Sequence, residues 1–85
     1  MAVYRKAHMI DAMRRRARQS VYGARYWRQE ADAPMSIFTV HRCREEARRD
    51  LYLAGCYRRR LLVFMNEPGR YVTRERYEQI MRGAW

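Results

Sequence analysis

The segment DAPMSIFTVHRCREEARRDLYLAG, Asp32 to Gly55, decides the fold. Asp32 followed by Ala33 and Pro34 is a helix-start signal: the carboxylate accepts free amide hydrogens of a first turn, and a proline there lacks the donor that would go unused. An apolar stripe at three-and-four spacing follows, Ile37, Val40, Cys43 or Arg44, Ala47, Leu51 and Ala54, and Gly55 suits the left-handed residue that ends a helix. The longest helix is therefore predicted from about residue 33 to 55.

Before it, Val3, Ala7, Ile10, Met13 or Arg14, Ala17 and Val21 mark one face of a first helix, about residues 3 to 19, with Arg14, Arg15, Arg16 and Arg18 on the other side. Ser20 can cap a short second helix, weakened by Gly23, in which Tyr22 and Tyr26 stack with Trp27 beside them. After Gly55 the period is lost. Tyr57 and three arginines lead into Leu61–Met65, which reads as a short strand, an extended arm or the tail of a helix. Asn66-Glu67-Pro68-Gly69 is a turn, with glycine where a positive φ is required. Thr73 caps a final helix, Val72 is placed to staple onto Tyr77, and Ile80, Met81 and Trp85 continue that face. The expected fold is all-α: a small three-helix bundle over residues 1–55, then an extended arm and a short C-terminal helix over 56–85 that pack on neighbouring subunits.

Eighty-five residues allow one small core, and a formal net charge of +10 adds self-repulsion. The chain is suited to an assembly with an acidic partner. Of the 19 basic residues only Lys6 is not arginine, which favours bidentate contacts to carboxylate or phosphate. An apolar fraction of 48% is too high for a disordered basic tail. The longest run without a charged side chain, Ala33 to His41, is far short of the about 20 residues a membrane helix needs. The first thirty residues are arginine-rich and amphipathic, the profile of a mitochondrial targeting segment. Cys43 and Cys56 lack zinc-site spacing and are taken as reduced and structural, with a disulfide open only if the helix folds back after Gly55.

Little points to catalysis, and no enzyme is expected. His8 and His41 fall on different helices, His41 beside an apolar face where a partly buried structural histidine is expected. Glu45 and Glu46 diverge by about 100° and suit pairing with Arg48 and Arg49. No nucleotide, metal or nucleophile motif occurs. The clusters Arg14–Arg16, Arg42 with Arg44, Arg48–Arg49 and Arg58–Arg60 are interleaved with tyrosines and Trp27, a surface suited to RNA phosphates and stacked bases or to solvated helix faces.

Val3-Tyr4-Arg5 resembles the Leu-Tyr-Arg signature of the LYR-motif family, small mitochondrial three-helix proteins. Tyr22, Arg25, Tyr26, Trp27 and Arg28 are similar to that family's helix-two pattern, Asp32-Ala33-Pro34 to its helix-three opening, and Arg44–Leu51 to its closing amphipathic helix. The match covers about residues 2 to 54; Val3 replaces the leucine, Trp27 stands for phenylalanine, and Ala7 takes the place of a larger apolar residue. The resemblance implies docking of a mitochondrial acyl carrier protein by Tyr4, Arg5, Lys6, Arg25 and Arg28. It further implies a channel between Ile10, Met13, Trp27 and Val40 for the carrier's acyl chain. No cofactor of its own is implied, only the acyl-4′-phosphopantetheine of the bound carrier. The expected role is an accessory subunit of a large respiratory complex, peripheral on the matrix side of the inner membrane with contact to anionic cardiolipin. Residues 62–77 are faintly similar to the arm of the LYR subunit at the distal end of complex I's membrane arm. The alternative is a mitochondrial ribosomal protein whose arginine clusters neutralise rRNA.

Overall fold

The computed structural model describes residues 3–83, in the order β1 (Val3–Arg5), α1 (Lys6–Asp32), α2 (Val40–Asn66), β2 (Tyr71–Thr73) and α3 (Arg74–Met81). The chain is largely helical, as expected, but three helices stand where four were predicted: α3 is the expected final helix, whereas the first three are replaced by two long ones. The long helices α1 and α2 each have 27 residues, about 40 Å of rise, and fold back on each other as a hairpin. The molecule measures 52 × 20 × 20 Å, and its radius of gyration of 16.3 Å exceeds the about 12 Å of a compact chain of this length.

Residues 3 to 5 are strand rather than helix, and α1 continues unbroken through Ser20 and Gly23. Tertiary packing explains the continuity. Ala17, Ser20 and Ala24 of α1 are buried against Cys43, Ala47 and Ala54 of α2, and such small side chains let two helices approach closely. Gly23 belongs to the same contact, because a Cβ added there would run into the Asp50 carboxylate. Its local helix cost of about 1 kcal/mol is offset by that approach. Gly23→Ala alone is therefore expected to leave stability unchanged or lowered, whereas in an Asp50→Ala background it is expected to gain about 1 kcal/mol. Urea denaturation of the four proteins of the cycle measures the coupling.

Asp32-Ala33-Pro34 ends a helix instead of starting one. Proline disfavours the helical conformation in the residue before it, and Ala33 is extended at φ −75° and ψ 125°. The true start lies seven residues on from Asp32, where Thr39 Oγ1 accepts a hydrogen bond from the Arg42 amide at 3.1 Å. Between them, Ser36 Oγ donates to Glu30 at 2.8 Å and accepts from the Phe38 amide at 3.1 Å.

Gly55 does not stop α2, which runs on to Asn66; the boundary drawn at residue 55 falls inside the helix and the expected extended arm is helical. Tyr57, Leu61 and Phe64 continue the buried stripe from Ala54 at three-and-four spacing, so the period had been hidden by the intervening arginines, not lost.

The open end of the hairpin is closed by an antiparallel ladder in which Val3 pairs with Thr73, Tyr4 with Val72 and Arg5 with Tyr71. The Lys6 amide donates to the Arg70 carbonyl at 2.9 Å and Lys6 Nζ to the Glu67 carbonyl at 2.9 Å. The turn behaves as read, with Gly69 at φ +78°. Thr73 Oγ1 caps α3 by accepting from the Arg76 amide at 3.2 Å, and Val72 and Tyr77 join one apolar cluster. That cluster, around buried Met13, Phe64, Val72 and Ile80, is the main core. Beside it, Arg76 Nε and Nη2 donate to Glu67 Oε1 at 2.8 and 2.6 Å. The hydrogen bond and charge of Glu67 raise the Arg76 pKa above its ordinary value, so the contribution from Arg76 is fully present below that ordinary value and is lost only as pH rises through the raised one. Trp85, expected on the α3 face, lies outside the described residues.

Candidate functional site

Reading α1 as one helix aligns side chains that adjacency in sequence had separated. Arg14, Arg18, Val21, Arg25 and Arg28 follow one another at intervals of three and four, hence on one face. On α2, Arg44, Arg48, Leu51 and Arg58 do the same. The two rows flank the helix seam on the same side of the hairpin, where they rim two open grooves. The first, about 320 Å³, has Arg14, Arg18, Arg25 and Arg58 around a floor of Ala17, Val21 and Leu61, with Tyr22 at the side. The second, about 390 Å³, has Arg28, Arg44 and Arg48 around Trp27, Ala31, Ala47 and Leu51. Arg18 and Arg28 are about 15 Å apart along the axis.

All seven arginines are exposed. Asp32 is the one carboxylate lining these grooves. Among the described residues none of the seven forms an ion pair; the pairs present are His41–Glu45, Arg74–Glu78, Arg82–Glu78 and Arg76–Glu67. The stretches Ala12–Gln29 and Leu51–Asn66 contain nine arginines and no carboxylate, and face each other over part of their length; the end of the first lies instead against residues 43–50, where Asp50 approaches Gly23. Like charges so arranged repel one another, and a bound polyanion relieves that repulsion. Each groove offers planar guanidinium forks at its rim and apolar or aromatic surface at its floor, the two chemistries that a phosphate and a base require.

The residues singled out from sequence are not gathered together. Tyr4 lies on β1, its ring centroid 4.6 Å from that of Tyr77, and Lys6 is used in closing the base. Arg5 is exposed beside Arg70 and Tyr71. Arg25 and Arg28 are on the arginine face, about 30 Å along the axis from Arg5, with Arg25 over the Tyr22 ring at 5.8 Å. Ile10 and Met13 belong to the core at the base, whereas Trp27 packs edge-on against Phe38 at 5.1 Å near the hairpin tip and Val40 is exposed. Met13 and Trp27 are about 21 Å apart along α1, so these four residues do not line one channel. Arg14, Arg18, Arg44, Arg48 and Arg58 were visible only as parts of separate clusters; the signal that unites them is helical spacing across Ser20 and Gly55.

Other local expectations also change. Tyr26 packs edge-on to Trp27 at 5.1 Å rather than stacking on Tyr22. His41 is exposed, with Nε2 3.0 Å from Glu45 Oε1, so Glu45 pairs with this histidine and not with an arginine. Cys43 and Cys56 are free thiols; about 20 Å apart on one straight helix, they are beyond disulfide reach. Among the described residues no group of His, Cys, Asp and Glu side chains is placed to hold a metal, and no helix is long and apolar enough to cross a membrane.

Comparison of the chain with protein-family models, curated proteins and solved structures finds no match. The LYR resemblance therefore stands on the quoted residues alone.

Proposed function

We propose that the protein is a non-catalytic RNA-binding subunit whose arginine face holds phosphates along the hairpin while Tyr22 and Trp27 offer surfaces to unpaired bases. The observation that carries this is the face of seven exposed arginines, free of ion pairs among the described residues, over two partly aromatic grooves. An aromatic side chain at each groove favours single strands, since bases stacked within a duplex cannot reach it. Docking of an acidic acyl carrier protein would draw on the same charge, but it gains nothing from the separation of Ile10 and Met13 from Trp27 and Val40. Contact with a cardiolipin surface would likewise use the arginines without needing two aromatic grooves.

The test is fluorescence anisotropy of an unstructured, labelled single-stranded RNA titrated with the full chain at several salt concentrations. Seven phosphate contacts predict a slope of log affinity against log salt of about −5, at about 0.7 per contact. Reversing Arg25 and Arg28 to glutamate is expected to weaken RNA binding in steps, whereas it would release a carrier protein outright. A slope shallower than about −2, together with tight binding of purified acyl carrier protein, overturns the proposal.

A further inference from the structure

We infer that the hairpin carries a second phosphate site on its opposite side, formed by Arg16 and Arg60 at the Tyr57 ring, so that one molecule bridges two RNA segments. The inference rests on the seven-arginine face being an RNA surface, and it asks something more of the fold.

Its first support is direction. Arg16 lies two positions from both Arg14 and Arg18, and Arg60 two positions beyond Arg58, a rotation of about 200° around each helix. The pair therefore faces away from the grooves. Its second support is convergence across the two helices. The Arg16 guanidinium carbon is 5.9 Å from the centre of the Tyr57 ring and that of Arg60 is 5.6 Å from it. Both guanidinium groups are within cation–π reach of the one ring, and neither has a carboxylate partner among the described residues. Its third support is an unmet hydrogen bond. Arg60 Nε is buried and without a hydrogen-bond partner, an unfavourable state for a charged donor. A phosphate oxygen is the acceptor this N–H lacks, reached by rotation of the side chain onto a bidentate edge.

Two cations drawn to one ring, on stretches of helix without a carboxylate, make a site for a single shared anion. A phosphate of a second strand fits it. Because this site and the arginine grooves face opposite directions, one strand cannot reach both without wrapping the 20 Å thickness of the hairpin, and two strands fill them directly.

The experiment is a sandwich capture with the full chain: one single-stranded RNA immobilised on beads, a second carrying a dye, and bead-bound dye measured as protein is added. The wild type is expected to retain the dye-labelled RNA. Arg16→Gln with Arg60→Gln is expected to lower retention about tenfold while affinity for one RNA in solution changes less than about threefold, as loss of a few charge-assisted contacts predicts. Arg16→Gln alone, at an exposed position, should move retention in the same direction and decides the matter if the double variant melts early. Normal binding of one RNA without wild-type retention overturns bridging and leaves the RNA surface standing. Absence of any RNA binding overturns both. Retention that survives the double variant assigns bridging to the two grooves or to self-association, retention that tracks a dimer in sedimentation assigns it to self-association, and either overturns the second site.

Discussion

Phe64→Ala is expected to cost about 3–5 kcal/mol, a large share of the about 5–15 kcal/mol that keeps a domain folded. Phe64 is completely buried where α2, β2 and α3 meet, among Met13, Val72 and Ile80, and its ring lies 6.2 Å from that of Tyr77. Elsewhere the two long helices meet through alanine, serine and cysteine, whose burial contributes less per residue. Most large apolar burial is thus concentrated at one end. Removing the ring leaves a cavity that three surrounding elements cannot all collapse into, and with the clasp opened the hairpin keeps only its small-residue seam. Thermal unfolding followed by circular dichroism checks this. Leu62→Ala, two residues away at a position 58% exposed, is the control and should change stability by no more than about 0.5 kcal/mol. A Phe64→Ala protein that melts like wild type would mean that the seam, not the clasp, holds the fold.

The largest functional effect is expected from neutralising Arg14, Arg18, Arg25, Arg28, Arg44, Arg48 and Arg58 together to glutamine. RNA affinity should fall by the order of 10³-fold near physiological salt, and the salt slope should shrink from about −5 to the small remainder that Arg16 and Arg60 supply. Glutamine keeps much of each side chain's length and its helix propensity, and removing seven like charges relieves self-repulsion, so the variant should fold at least as well as wild type. Neutralising Arg14, Arg18 and Arg58 alone, or Arg28, Arg44 and Arg48 alone, should each remove part of the slope, because the two grooves act on successive stretches of one strand. Full retention of RNA binding in the seven-fold variant would place the contact elsewhere on the molecule.

Several features were legible in the sequence for local reasons. Gly69 supplies the positive φ, Thr73 caps the helix after it, and Val72 with Tyr77 anchors that helix, because turn and cap chemistry depends on neighbours within about five residues. The helical bias, the net charge of +10 and its arginine character were equally plain. Errors arose where a local signal had two meanings. Asp32-Ala33-Pro34 serves a start or a stop equally well; the Thr39 cap and the Ser36 bonds settle it as a stop.

Ser20, Gly23 and Gly55 looked like punctuation because each weakens a helix in isolation. In the hairpin, Ser20 is buried at the seam, Gly23 makes room for Asp50 and Gly55 is spanned by a packed stripe that continues on either side. The site shows the same division. Composition announced an acidic partner, since charge is additive and needs no coordinates. Which arginines share a face, which two turn away toward Tyr57, and that Met13 and Trp27 lie at opposite ends of one rod follow from the phase and length of two unbroken helices. Only the packing of each against the other determines that phase and length.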